Sequence, residues 1–166
     1  LIDNFASQWL QLRILENFEP DPKRFQGVDK PLLQDMRRET LLFCQEILRE
    51  DRSILEMLDA NYTYLNPRLA KHYGLANTEL NKNDHPSDQF IRVSLENSQR
   101  GGLLTQASIL AVTSNPTRTS PVKRGKWIME NLLGEPPPPA APDVVPLDQQ
   151  ELTGTLRERM EQHRRD

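Results

Sequence analysis

The chain of 166 residues holds a single cysteine, Cys44. That scarcity excludes an intrachain disulfide, a C-x-x-C redox pair, a thiolate zinc cage and a C-x-x-C-H haem attachment motif within these residues. Apolar residues are few as well. Hydrophobic types make up 36% and there are only 7 glycines, short of the roughly 45–50% of ordinary globular domains, so a thin core is expected. Apolar runs such as Ile109 to Val112 are short, whereas a membrane-spanning helix needs roughly 20 residues. Neither charge sign dominates: 21 Lys plus Arg face 24 Asp plus Glu, a net charge of −3, which argues against a nucleic-acid module and its basic stripe. Leu1 to Leu15 lacks the basic n-region of a secretory signal, and the chain opens on leucine rather than methionine. It reads as a segment of a longer protein, with the compartment left open.

The patterning that is present is helical. Ile2, Phe5, Trp9, Leu12 and Leu15 recur at steps of three and four, predicting one amphipathic helix that Glu19-Pro20-Asp21-Pro22 ends. Asp29 as N-cap, with Pro31 in the first turn, opens a second helix to Glu50, about 30 Å long. Its buried stripe is Leu32, Leu33, Met36, Phe43, Ile47 and Leu48. Ser53 to Glu56 reads as a capping box for a short helix through Leu58, and Asn66-Pro67 starts another that Gly74 closes. Residues 76–89 read as a polar loop. Phe90 to Leu95 predicts one extended segment with no evident partner strand. Leu103 to Thr113 predicts an apolar helix stopped by Asn115-Pro116, and Ser120-Pro121 starts the next, which runs to Gly134. The prolines of 135–146 predict a stiff polyproline II connector. Beyond it Asp148 and Glu151 resemble a capping box, and Leu152, Leu156, Met160 and His163 share one stripe. The predicted fold class is mainly α: an irregular multi-helix bundle with a proline-rich linker and a C-terminal helix.

Chemistry-bearing side chains are sparse. His85 precedes Pro86 in the polar loop, His72 ends a helix where an imidazolium complements the dipole, and His163 ends an apolar stripe that can face a partner. No two of the three have the spacing of a helical metal site. Ser114 to Trp127 gathers hydroxyls, helix-start N–H groups, Arg118, Lys123, Arg124 and Lys126, enough to hold an anion such as a phosphate or a haem propionate. Alternatively Ser120 merely caps, while Arg118 and Arg124 tie the loop to acidic neighbours. Arg100-Gly101-Gly102 reads as a tight backbone turn rather than an RNA-binding repeat. There is no Walker loop and no G-x-S-x-G elbow, and Cys44 falls on a helix, so no catalytic residue is assigned and enzyme activity stays open. Asp35, Glu39, Glu50 and Asp51 sit among arginines as solvated ion-pair faces, and Trp9 and Trp127 read as core anchors.

Several runs resemble those of large multidomain planctomycete-type cytochrome c-related proteins, built from serial domains of unknown function. They are Phe5-Ala6-Ser7-Gln8-Trp9-Leu10, Arg38-Glu39-Thr40, Arg49-Glu50-Asp51-Arg52-Ser53, Tyr62-Thr63-Tyr64-Leu65-Asn66, Leu69-Ala70-Lys71-His72-Tyr73-Gly74, Arg100-Gly101-Gly102-Leu103-Leu104, Thr113 to Trp127, and Leu132-Leu133-Gly134. The resemblance implies a helical domain of unknown function over 1–99 and the helical start of a cytochrome c-type domain over 100–134. It further implies a proline-rich linker over 135–147 and a helix over 148–166 leading to a C-x-x-C-H motif just past Asp166. A periplasmic or otherwise extracytoplasmic parent would carry haem c for electron transfer or redox chemistry, with this segment as a non-catalytic scaffold to which no haem can be covalently attached. By motif position, His72 and His163 are implied as haem-pocket or distal iron ligands, Arg118 and Arg124 as propionate contacts, and Trp127 as packing on the porphyrin. The implied partners are the neighbouring haem domain of the same chain and a redox protein, with no nucleic acid and no transmembrane segment. The competing expectation is a protein-interaction scaffold without haem function, docking through the proline run and the Arg118 to Trp127 loop.

Overall fold

The computed structural model describes residues 1–75, 80, 86, 88–96, 98–139 and 153–164, with the side chains of Leu156 and His163 outside that description. Two units divide the chain, Leu1–Glu135 and Pro136–Asp166.

In the first unit, helix α1 (Ile2–Trp9) stops well before Leu15. Gln11 takes a left-handed φ of 59°, and the chain continues as a 3-10 helix over Leu12–Asn17. The single amphipathic helix expected here is therefore two segments. In the tighter 3-10 turn side chains three apart eclipse, so Leu12 and Leu15 both reach the core. Phe5 instead is 54% exposed and stacks on Trp9 with ring centres 5.6 Å apart.

Helix α2 (Lys30–Arg49) begins as its sequence dictates: Asp29 Oδ1 accepts the Leu32 N–H at 2.9 Å, and Pro31 lies in the first turn, where an N–H has no helical partner. Leu32, Leu33, Met36, Phe43 and Ile47 are buried, but Leu48 is 49% exposed, while Glu39, Thr40 and Cys44 take buried places. The capping box expected at Ser53 does not form before α3 (Glu56–Asp59). Ser53 Oγ accepts from Leu55 N, and the Glu56 carboxylate turns to Arg52 Nε and the Tyr62 hydroxyl, at 2.7 and 3.0 Å.

Strand β1 (Tyr62–Leu65), helix α4 (Pro67–His72) and strand β2 (Ile91–Ser94) follow. Asn66 caps α4 by accepting the Leu69 N–H at 2.8 Å, and Gly74 follows with φ of 69°. The extended segment expected to lack a partner has one: β2 pairs antiparallel with β1, Tyr62 opposite Ser94 and Leu65 opposite Ile91. The β-branched and aromatic residues of Tyr62-Thr63-Tyr64-Leu65 suit a pleated surface, but four residues carry too short a period to be read alone.

The apolar stretch after Arg100 also divides. A 3-10 turn over Leu103–Thr105 leads through extended Gln106 into α5 (Ala107–Val112). A small hairpin, β3 (Ser114–Asn115) with β4 (Arg118–Thr119), precedes α6 (Pro121–Ile128), where Ser120 Oγ accepts the Lys123 N–H. A π-helical turn over Met129–Leu133 extends α6 to Gly134, whose φ is 68°. The turn contacts α1, where the Trp9 indole N–H donates to the Asn131 carbonyl at 2.7 Å. Gly102 performs the tight turn expected of Arg100-Gly101-Gly102. Its φ is 59°, its N–H donates to the Ala60 carbonyl at 3.0 Å, and a Cβ there would lie 2.4 Å from the Leu58 carbonyl oxygen.

Two buried clusters flank α2. One joins Phe43, Cys44 and Ile47 to Leu10, Leu12, Leu103, Ile109 and Trp127. The other joins Leu33 and Met36 to Leu15, Leu65, Leu69, Val93 and Ala107. The described architecture is mainly helical with two small two-stranded sheets.

In the second unit, α7 (Leu156–His163) opens on a capping box. Thr155 Oγ1 accepts the Glu158 N–H at 3.3 Å, and Glu158 Oε2 accepts the Thr155 N–H at 2.7 Å. The box expected at Asp148 and Glu151, and Leu152 of the expected stripe, lie outside the described residues, as do 140–147 of the linker and His85.

Candidate functional site

The described residues of the first unit line a largely apolar cavity of about 330 Å³. Leu33 and Met36 of α2 form one wall, and Ala107, Leu110 and Ala111 of α5 another. Phe18, Pro20, Phe25 and Val28 form a third, from the loop between the 3-10 helix and α2. The Asp21 N–H donates to the Pro116 carbonyl at 3.0 Å, which holds that loop against the β3–β4 hairpin. Polar residues converge on this apolar surface: His72, Arg100, Ser114, Asn115, Thr119 and Arg124. No carboxylate is among the described lining residues.

Each cation is positioned by a hydrogen bond. Arg124 Nε donates to Thr113 Oγ1 at 3.3 Å, and Thr113 Oγ1 donates in turn to the Ile109 carbonyl at 2.7 Å. Arg100 Nη1 donates to the Thr105 carbonyl at 2.7 Å, and its guanidinium lies 3.9 Å from the Tyr73 ring centre. His72 is exposed but lines the cavity with part of its surface. Partial burial, then the positive charge of Arg100, lowers its imidazole below the usual value, which favours the neutral ring.

Beside the cavity runs a buried relay that periodicity alone did not reveal. Glu39, expected on a solvated face, is fully buried in α2; its Oε1 accepts from the Thr63 hydroxyl at 2.6 Å and its Oε2 from the Tyr73 hydroxyl at 2.5 Å. The Tyr73 hydroxyl accepts in turn from the Ala107 N–H at 2.7 Å. Burial raises the Glu39 carboxyl to about 7, against the two hydroxyls and the charge of Arg100, which favour the carboxylate. One helical turn carries a second polar pair: Thr40 Oγ1 donates to Gln106 Oε1 at 2.7 Å, so the hydroxyl of Ser108 supplies the proton in their short mutual contact. The signal for both was available in Arg38-Glu39-Thr40 as a motif but not in its charge.

Of the residues singled out from the sequence, His72 and Arg124 meet at this cavity. Arg118 stands in β4 and is not among the lining residues. Trp127 is buried in the cluster with Leu10 and Leu12. His163 belongs to α7 of the other unit, and its side chain lies outside the description.

A resident c-type haem needs a pair of thiols for attachment and a side chain to ligate the iron. Cys44 is a lone thiol, buried among Phe43 and Ile47, with burial pushing it up to about 12, so it can neither pair with a second thiol nor act as a ready nucleophile. Among the described residues no group of three or more His, Cys, Asp or Glu side chains converges to hold a metal ion. The described residues therefore do not fit a haem held covalently by this segment.

A mainly helical module with a cation-rimmed apolar cavity is thus the class of protein that fold and site define. Residues 1–75 match the family described as PSD4, protein of unknown function (DUF1592), and residues 100–166 match the family described as PSCyt3, protein of unknown function (DUF1588). The two adjacent matches support a planctomycete cytochrome c-related domain architecture. No curated protein and no solved structure matches the chain. Among the described residues no helix is long and apolar enough to cross a membrane.

Proposed function

We propose that this segment is a non-catalytic helical scaffold within an extracytoplasmic c-type haem protein engaged in electron transfer or redox chemistry. The observation that carries the reading is the succession of the two family matches along one chain, the second with a cytochrome-related name. The lone buried thiol agrees with a scaffold role, since the haem would then be attached elsewhere in the parent. On this reading 1–99 is the domain of unknown function, 100–134 the start of the cytochrome-type domain, 135–147 the linker and 148–166 the approach to a C-x-x-C-H motif. The neighbouring haem domain of the same chain is its partner, with a redox protein beyond it. In the first unit this reading assigns Arg118 and Arg124 to that haem's propionates and His72 to its iron; in the second it assigns His163 of α7 to the iron independently, while Trp127, expected to pack on the porphyrin, is a core residue and keeps no such role.

The coding sequence past Asp166 tests the reading first: a C-x-x-C-H motif supports it, and its absence from the next domain overturns it. A protein extended through the motif and matured with c-type haem machinery is expected to show a haem spectrum. His72→Ala or His163→Ala then shifts the Soret band or the potential if either histidine reaches the iron. A protein-interaction scaffold is the second reading, favoured by the run Pro136 to Pro139 next to a cationic helix. It predicts partner binding that persists without haem and is lost when residues 136–142 are deleted.

A further inference from the structure

We propose that the cavity of the first unit binds a small carboxylate with a compact apolar body, of the medium-chain fatty acid class, with Arg124 and Arg100 as its anion contacts. The assignment does not rest on the scaffold reading and competes with one part of it, since Arg124 cannot hold this ligand and a haem propionate at once.

The two halves of the ligand follow from two halves of the site. Phe18, Phe25, Val28, Leu33, Met36 and Leu110 present hydrocarbon to the cavity, so an apolar body displaces water there at a gain proportional to the area it covers. At the same cavity stand two permanent cations without a carboxylate among the described lining residues. Arg124 commits an N–H to Thr113 and Arg100 one to Thr105, while a guanidinium carries five. Neither forms an ion pair among the described residues. A cation beside an apolar wall is only partly hydrated, and a carboxylate brought to the cavity offsets that cost. An inorganic anion would leave the hydrocarbon wall wet, and a neutral alkane would leave the cations unpaired. Only a molecule with both parts satisfies the site. The volume, about 330 Å³, lies at the small end of ligand cavities, which run from about 300 to 1,000 Å³, and so selects a compact body over a porphyrin.

The test titrates the 166-residue chain by calorimetry with octanoate, octan-1-ol and octylammonium. Octanoate is expected to bind at least about tenfold more tightly than the alcohol, as a charge-assisted hydrogen bond predicts, and the ammonium not measurably. Arg124→Gln should abolish the preference for acid over alcohol, with octanoate losing at least about tenfold more affinity than octan-1-ol. Ala111→Leu, which fills the cavity, should weaken both ligands together, and it reports on the site should Arg124→Gln fail to fold. Equal affinity for acid and alcohol, absence of octanoate binding, or a preference untouched by both Arg124→Gln and Arg100→Gln overturns the proposal. Displacement of octanoate by a porphyrin dicarboxylate at lower concentration than octanoate itself requires also overturns it, because the cationic rim would then belong to a haem edge.

Discussion

Two pairs of arginines occupy this fold in similar company and to different ends. Arg52 and Arg92 lie over the Tyr62 ring, at 5.2 and 3.9 Å from its centre, and Arg100 lies 3.9 Å over Tyr73. Around the first pair carboxylates close the account: Glu46 accepts from Arg92 at 3.2 Å and lies 3.5 Å from Arg52, and Glu56 accepts from Arg52 at 2.7 Å. Around the second pair, Arg100 and Arg124, no ion pair forms among the described residues, although the setting is more apolar. Stacking on tyrosine is therefore common to both regions, and the lack of an ion pair among the described residues is what separates the second from the self-sufficient first. The first pair ties β1, β2 and α2 together, and the second holds charge in reserve.

The comparison breaks most completely if the backbone that presents Arg100 is displaced. Gly102→Ala places a Cβ against the Leu58 and Met57 carbonyls in a left-handed conformation, so neither repacking nor a rotamer change relieves it. The expected loss is about 4 kcal/mol, strain and overlap together, read as a fall in the urea midpoint. Gly125→Ala, where a Cβ meets nothing within 4 Å, is the matched control and should hold or raise stability.

Next in size is Glu39, a carboxylate that senses the charge of Arg100. Glu39 holds its proton in the folded chain up to about pH 7, whereas the unfolded chain loses it near 4.5. Between those values the folded state binds more protons, so stability falls as pH rises, by on the order of 3 kcal/mol over the window. His72, lowered from its usual value, acts with the opposite sign: its contribution is lost as pH falls through the folded value. The difference between the parent and Glu39→Gln isolates the carboxylate. Urea midpoints across pH 4.5 to 7 should slope downward in the parent and lose that component in the variant. An unchanged slope would mean that Glu39 is ionised throughout and pairs with Arg100 after all.

How much of this was legible in the residues differs by kind of signal. Caps made of short-range chemistry were: Asp29-Lys30-Pro31, Asn66-Pro67 and Ser120-Pro121 start helices where they stand, and Gly74 and Gly134 adopt the left-handed conformation beyond helix ends. Burial by period was legible for the apolar stripe of α2 except at Leu48, but not for Glu39. What escaped depends on distant partners. Tyr62 to Leu65 becomes a strand only because Ile91 to Ser94 lies beside it. Glu39 is buried because Thr63 and Tyr73 arrive from β1 and the end of α4 to satisfy it. Among the site residues, His72 and Arg124 stood out as a helix-end imidazole and a cation in a cluster. Arg100 was masked by the glycines that follow it, and the phenylalanines of the 18–28 loop carried no period.

The smaller effects sharpen the contrast between the pairs. Glu46 has a side chain only 11% exposed that also accepts from the Tyr64 hydroxyl, so Glu46→Gln removes the charge that three donors share. A cost of about 2 kcal/mol is expected, since hydrogen bonds to a charged group weaken and two guanidiniums are left facing each other. Arg92→Gln costs less, about 0.5–1 kcal/mol, because Arg92 is 47% exposed and its pair is screened; that loss should shrink as salt is raised. Arg124→Gln is the last and smallest. With no ion pair to lose among the described residues, its stability should stay within about 0.5 kcal/mol of the parent at any salt concentration. A larger, salt-sensitive loss at Arg124 would show that its charge is already paired, and the two arginine pairs would then be alike.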